Sequence, residues 1–197
     1  MIDIAPYVNI HTHRSSPSQR EITSIGVHPY DAEKGTFDRE KMLSATVDAI
    51  GEIGLDFSVN VDRQMQESIF REQLQIAQSR HLPVVIHCVR AFEPIFKILG
   101  EYKLKAVIFH GFIGSYEQAS KAISRNYYLS FGHRCFTSPK TLNVLHNIQI
   151  NNVFFETDDA PIDIKEIYEL ASQYREETVA ELRDKTYKNY INLFPND

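Results

Sequence analysis

The chain has 197 residues, a formal net charge of −5, and 43% hydrophobic against 24% charged residues. That length suits one domain with a sizeable core, and 1–197 reads as a single domain. The charge excludes a protein held to nucleic acid by bulk positive potential, so a phosphate substrate would have to be drawn by local cations or by metals.

The apolar start Tyr7-Val8-Asn9-Ile10 predicts a first strand that ends in His11-Thr12-His13. Arg14 to Glu21 reads as a polar loop and Ile22 to His28 as a short strand stopped by Pro29. A short helix over Asp38 to Thr46 precedes a strand over Val47 to Ile53, whose glycines let backbones crowd together. The clearest helix runs from Gln64 to His81, with Met65, Ile69, Leu74 and Ala77 on one stripe and Phe70 beside it. Leu82 to His87 is an apolar run suited to a strand buried on both faces. Then come a helix (Ala91 to Tyr102), a buried strand (Lys105 to His110), and a helix opened by a Ser115–Gln118 capping box. Tyr127 to Phe131 is a strand, Ser138-Pro139 opens a helix, and Asn152 to Glu156 is the last strand. Two helices, Ile164 to Tyr174 and Glu176 to Leu193, follow it.

Alternating strands and helices imply a parallel sheet with helices outside. The expected fold is an α/β, TIM-like (βα) barrel of about seven strands. Such barrels typically need ~250 residues, so one βα unit is expected to be missing. The eight residues from Arg14 to Glu21 are too few for an ordinary crossover, which places the gap after the first strand. A doubly wound sheet is the alternative.

Of eight histidines, five (His11, His13, His28, His87 and His110) fall at the ends of predicted strands, beside Glu52, Asp56, Glu156 and Asp158. One such histidine is ordinarily a capped or packed residue. Repetition at the same structural place points instead to a shared metal site on the C-terminal rim. Four histidines and two carboxylates suit two divalent ions, with Glu52 the natural bridging carboxylate.

The motif order resembles the TatD family of metal-dependent deoxyribonucleases. The matching segments are His11-Thr12-His13, Gly26-Val27-His28-Pro29, Ala49 to Asp56, Leu82 to His87, His110 to Ser115, Glu156-Thr157-Asp158, and a terminal Asn189 to Phe194 stretch. The resemblance implies an amidohydrolase-type barrel with metal ligands at His11, His13, Glu52, His87, His110 and Asp158; the donor types suit Zn, Mg or Mn. It implies DNA as the substrate and does not imply a stable protein partner. Three departures stand out: the family is usually longer, its His-Ser-Arg-Asp-Ala reads His87-Cys88-Val89-Arg90-Ala91, and its Glu-Thr-Asp-Ser-Pro is one residue longer here.

The expected reaction is hydrolysis of phosphodiester bonds by metal-activated water, with Asp158 and Glu52 catalytic and Asp158 the general base. His28 and Arg90 are candidates for gripping the substrate phosphate, and Asp56 for orienting a ligand histidine. Glu156 is expected to face away from Asp158 and serve as support. Tyr127-Tyr128 reads as strand packing rather than a base-stacking surface. Hydrolysis of a small phosphoester, amide or lactone is the first alternative, and a metal-binding interaction protein without turnover the second. Cys88 and Cys135 are too few for a disulfide framework and suit a reducing compartment. No stretch approaches the ~20 apolar residues of a membrane span, and Met1 to Pro6 does not read as a signal peptide, so a cytoplasmic protein is expected.

Overall fold

A computed structural model describes residues 5–34 and 37–195. Most of the Met1 to Pro6 start therefore lies outside the described residues. The chain begins with β1 (Tyr7–Val8), β2 (Gln19–Arg20), β3 (Ser24–Ile25), α1 (Arg39–Ser44), β4 (Ala49–Asp56) and α2 (Arg63–Arg80). It continues through β5 (Val84–Val89), α3 (Phe92–Leu99), β6 (Val107–Phe109), α4 (Tyr116–Ile123), β7 (Tyr128–Phe131) and α5 (Pro139–Asn147). The last elements are β8 (Val153–Phe155), α6 (Ile164–Arg175) and α7 (Val179–Leu193). Every described register is parallel, which makes this an α/β fold with a mostly parallel sheet. No helix among the described residues is long and apolar enough to cross a membrane.

The chain divides into two compact units, Thr23–Phe109, and Met1–Ile22 with His110–Asp197. In the first, β3, β4, β5 and β6 pair in that order. The apolar runs of β4 and β5 are buried, with Ile50, Ile53, Leu55, Val84, Val85 and Ile86 fully enclosed. Two glycines allow the close approach. A Cβ on Gly51 would stand 2.6 Å from the Val85 Cβ, and one on Gly54, at φ 146°, only 2.0 Å from the His87 carbonyl oxygen. Any side chain at Gly54 would push the ends of β4 and β5 apart.

Helix α2 is capped by Asp62, which accepts from the Met65 N–H at 2.8 Å. Its inner face differs from the expected stripe. Met65 is 44% exposed, while Gln66, Phe70, Gln73, Leu74, Ile76 and Ala77 are buried. The two glutamines belong inside because each finds backbone groups to bind, as described below. A hydrophobicity pattern cannot register them.

The second unit contains the paired strands β1 and β2 and the paired strands β7 and β8. The Ile10 N–H donates to the Phe155 carbonyl at 3.0 Å, which lays the chain after β1 against β8. Gln19–Arg20, expected as loop, is a strand because the Asn9 N–H finds the Arg20 carbonyl at 2.8 Å. The strand expected over Ile22 to His28 shrinks to Ser24–Ile25. Among the described residues no helix lies between β1 and β3, where the missing βα unit was expected. The Ser115–Gln118 capping box and the Ser138 cap before Pro139 both form.

Tyr168 anchors this unit. Its ring is fully buried against Phe155 and Tyr7. Its hydroxyl accepts from the Val8 N–H at 3.2 Å and lies 3.1 Å from the Val8 carbonyl and 2.8 Å from Thr186 Oγ1. From α7, the Asn189 amide donates to the carbonyls of Ile150 and Val153 at 2.8 and 2.9 Å, which ties the helix to the start of β8. Between α6 and α7, Glu177 accepts two hydrogen bonds from Arg175 and one from Lys185.

Tyr168→Phe strands buried Val8 backbone groups without this partner and is expected to cost about 1–3 kcal/mol, read as a lower urea midpoint with an unchanged slope. Burial alone would raise the Glu177 carboxyl; the hydrogen bonds from Lys185 and Arg175 outweigh it and hold it below its ordinary value. A depressed folded value means the stabilisation is present at neutral pH and lost as pH falls through that value. Glu177→Gln should therefore destabilise by about 1 kcal/mol at pH 7. Thermal melts of the two proteins should converge as pH drops below about 4.

Candidate metal centres

In the unit holding β1 and β8, the backbone sets three ligand candidates in place. The His13 N–H donates to the Asp158 carbonyl and the Asp158 N–H to the His11 carbonyl, both at 3.1 Å, so that Thr12 and Asp158 form a parallel bridge. Asp158 takes a left-handed backbone, φ 52°, that costs a non-glycine residue free energy. A side-chain lock holds it there. Asn9 Oδ1 accepts from the Thr157 N–H at 3.0 Å, Asn9 Nδ2 donates to Thr157 Oγ1 at 2.9 Å, and Thr157 Oγ1 donates to Thr12 Oγ1 at 2.9 Å.

The consequence is convergence. Asp158 Oδ1 stands 3.6 Å from His11 Nε2 and 3.5 Å from His13 Nε2. Metal–ligand bonds of about 2.0–2.1 Å at tetrahedral angles separate ligand atoms by about 3.4 Å, so this spacing fits a shared divalent ion. His110 packs on His11 with ring centroids 4.5 Å apart, and ligand atoms of His110, Glu156 and Asp158 lie within 4.8 Å of one another.

Glu156 is the correction here. It was expected to face away from Asp158, yet both carboxylates reach His110, as residues two apart along an extended chain should. Its supporting part is real: Oε1 accepts from the Gly111 N–H at 2.7 Å and sits 3.4 Å from His110 Nδ1. Burial alone would raise the Glu156 carboxyl; the hydrogen bond and charge of His110, with the charge of His11, outweigh it and hold it below its ordinary value. The Ser130 hydroxyl adds to this, and Glu156 Oε2 is buried without a hydrogen bond of full geometry among the described residues.

In the Thr23–Phe109 unit, the register pairs Gly54 with His87 and Asp56 with Val89. His87 lies between two carboxylates, with Nε2 3.0 Å from Asp56 Oδ2 and Nδ1 2.7 Å from Glu52 Oε1. Asp56 is fully buried. Burial alone would raise its carboxyl, but hydrogen bonds from Ser58 and His87 outweigh this and hold it low. An ionised Asp56 accepts from a proton on His87 Nε2 and so orients the ring, the arrangement of a metal-ligating histidine steadied by a carboxylate. The Nδ1 edge then faces Glu52, and these two are ligand types that a divalent ion can share.

His28 behaves differently. Its Nδ1 accepts from the Tyr30 N–H at 3.1 Å, so a neutral ring carries its proton on Nε2. That Nε2 stands 3.1 Å from His87 Nδ1 and 3.3 Å from Glu52 Oε1. The structure thus brings His28 into one group with Glu52 and His87, whose possible ligand atoms lie within 4.8 Å of one another. Arg90 follows β5, is exposed, and has φ 53°. Cys88 is half-buried, and burial with the nearby Asp56 charge pushes its thiol up to about 12, which agrees with a packing role.

Two residues that the sequence reading overlooked hold this unit's site from behind. Gln66 Oε1 accepts from the Asp56 N–H at 2.8 Å while Nε2 donates to the Asp56 carbonyl at 3.0 Å. Gln73 does the same for Val27, just before His28, at 2.6 and 3.2 Å. They lie two turns apart on the inner face of α2, so one helix clamps both the end of β4 at Asp56 and the segment leading into His28. The available signal was a polar residue recurring within an otherwise buried helical face.

Parallel strands ending in histidine–carboxylate groups of this kind define a metal-dependent hydrolase. The chain belongs to the TatD family: the model for TatD-related DNases matches residues 9–195. It is 31% identical to the uncharacterized metal-dependent hydrolase YabD of Bacillus subtilis, over 87% of this chain and 76% of that protein. It is 26% identical to the putative deoxyribonuclease TATDN3 of Mus musculus, over 75% of this chain. It is 35% identical to the 3'-5' ssDNA/RNA exonuclease TatD of Salmonella typhimurium, over 54% of this chain. Those two matches span 55% and 44% of the relatives' own lengths. The crystal structure of a TatD homologue from Escherichia coli superposes with a TM-score of 0.81 at 25% identity, covering 93% of this chain and 79% of that one.

Replacing Asp56 by Asn removes the ionised acceptor that holds the His87 proton on Nε2. Divalent-ion affinity, measured by calorimetric titration of the stripped protein, should fall about ten- to hundredfold, and an unchanged affinity would remove Asp56 from this role.

Proposed function

We propose that the chain hydrolyses phosphodiester bonds of DNA, at strand ends or in single strands, with two divalent ions drawn from Zn, Mg and Mn. The observation that carries this is the convergence of His11 and His13 on one oxygen of Asp158 at 3.6 and 3.5 Å, a spacing suited to a shared ion. His11, His13, Asp158 and His110 would hold one ion, with Glu156 at hand; Glu52 and His87 would hold the other. Membership of the TatD family supports the reaction class, and the names of relatives as deoxyribonuclease and ssDNA/RNA exonuclease support the substrate. The continuous family match over 9–195 supports reading the chain as one hydrolase domain, which we assign to the cytoplasm.

A divalent ion held there would lower the pKa of water towards about 7 and offset charge on a phosphoryl oxygen. The protein's own groups do the rest. Asp158, held rigidly by the Asn9–Thr157–Thr12 lock, accepts the proton of the attacking water. His28, with its proton fixed on Nε2 by the Tyr30 N–H, donates to an oxygen of the phosphodiester. Glu52 and His87 supply anionic and lone-pair character in the other group, and Asp56 keeps His87 turned the right way.

Chelation should abolish cleavage of end-labelled single-stranded DNA, and added Mg²⁺, Mn²⁺ or Zn²⁺ should restore it. Asp158→Asn and Glu52→Gln should each lower kcat by about 10²–10⁴. Metal analysis of the purified protein would count the ions. Cleavage of a small phosphoester, amide or lactone with DNA left intact would replace the DNA reading with the small-substrate one, and metal binding without any turnover would overturn both.

A further inference from the structure

We propose that Tyr30 is a stacking platform for an unpaired nucleobase of the substrate strand, one turn from the His28 donor; this rests on the nuclease reading above. Tyr30 lies in the short 3-10 turn Pro29–Asp31, whose Pro29 is buried. It is 48% exposed, among the most open of the large hydrophobic side chains. Single exposed aromatics are common on protein surfaces and by themselves mean little. Two observations set this one apart.

The first is its place. The Tyr30 ring stands at 85° to that of His28 with centroids 4.3 Å apart, and at 71° to that of His87 at 5.9 Å. It therefore borders the histidines assigned to the reaction. The second is its fixation. The same residue's N–H donates to His28 Nδ1 at 3.1 Å, so the turn that orients His28 also sets the tyrosine. A phosphodiester held beside His28 would bring the adjoining base beside an aromatic ring that is already in position.

The electrostatics favour this route to affinity. The chain carries a net charge of −5, so release of counterions from a long basic groove is not what holds a strand here. Stacking of a base on an aromatic face works without such charge and tolerates any sequence. It also requires the base to be unpaired, which selects single strands and frayed ends over duplex. The Tyr127-Tyr128 pair does not offer this surface: Tyr128 is 9% exposed and packs on Phe154.

The test compares a short oligothymidylate with an abasic strand of equal length, using wild type, Tyr30→Leu and Tyr30→Trp. Binding is read by fluorescence anisotropy with the metal removed, and kcat/KM with it restored. Wild type should favour the base-bearing strand about tenfold in both readouts; Tyr30→Leu should lose most of that ratio, and Tyr30→Trp should keep it. A ratio left intact by Tyr30→Leu overturns the inference while the nuclease reading survives. A base-dependent binding ratio that collapses in Tyr30→Leu, in a protein that never cleaves DNA, upholds the platform and overturns the nuclease reading. Wild type that neither binds nor cleaves either strand overturns both.

Discussion

Parallel pairing in register is the constraint on which the candidate sites depend. It brings the C-terminal ends of neighbouring strands level, so that a polar residue at the end of one lies beside a polar residue at the end of the next. The register sets Gly54 opposite His87, with Glu52 and Asp56 two residues to either side on β4, and the Thr12–Asp158 bridge aligns the chain after β1 in the same manner. Each case needs something more local. Gly54 must lack a side chain, and Asp158 must accept a left-handed backbone. The sheet supplies the coarse alignment, and these residues supply the final angstrom.

The chemistry then follows from which nitrogen carries a proton. His28 and His87 have the same side chain and approach within 3.1 Å, yet their neighbours differ. A backbone donor stands at Nδ1 of His28, while a buried carboxylate stands at Nε2 of His87. A count of histidines treats the two alike. The hydrogen bonds give the two rings different surroundings, one tied to a turn and the other to a buried carboxylate.

Much of this was legible in the sequence, for a definite reason. Apolar runs closing on His11-Thr12-His13, His87 and His110 combine two signals that are local in the chain, a buried strand and a polar end. Asp56 beside His87 could be anticipated as well. What was hidden depends on partners distant in sequence. Gln19–Arg20 is polar and becomes a strand only because Asn9 offers it an N–H. Met65 belongs to an apolar stripe by spacing, but α2 turns its glutamines inward to meet bare backbone groups at Asp56 and Val27. Asn9 and Thr157 look like ordinary strand residues until their side chains are seen locking Asp158.

The inward glutamines of α2 carry one more consequence. The Val27 and Asp56 amide protons point at side-chain oxygens of a helix rather than only at a neighbouring strand. Their exchange with solvent deuterium therefore reports the docking of α2, not the opening of the sheet. Any motion that lifts the helix frees the backbone beneath His28 and beside His87 together, so the geometry of this ligand group is as durable as one helix's seat.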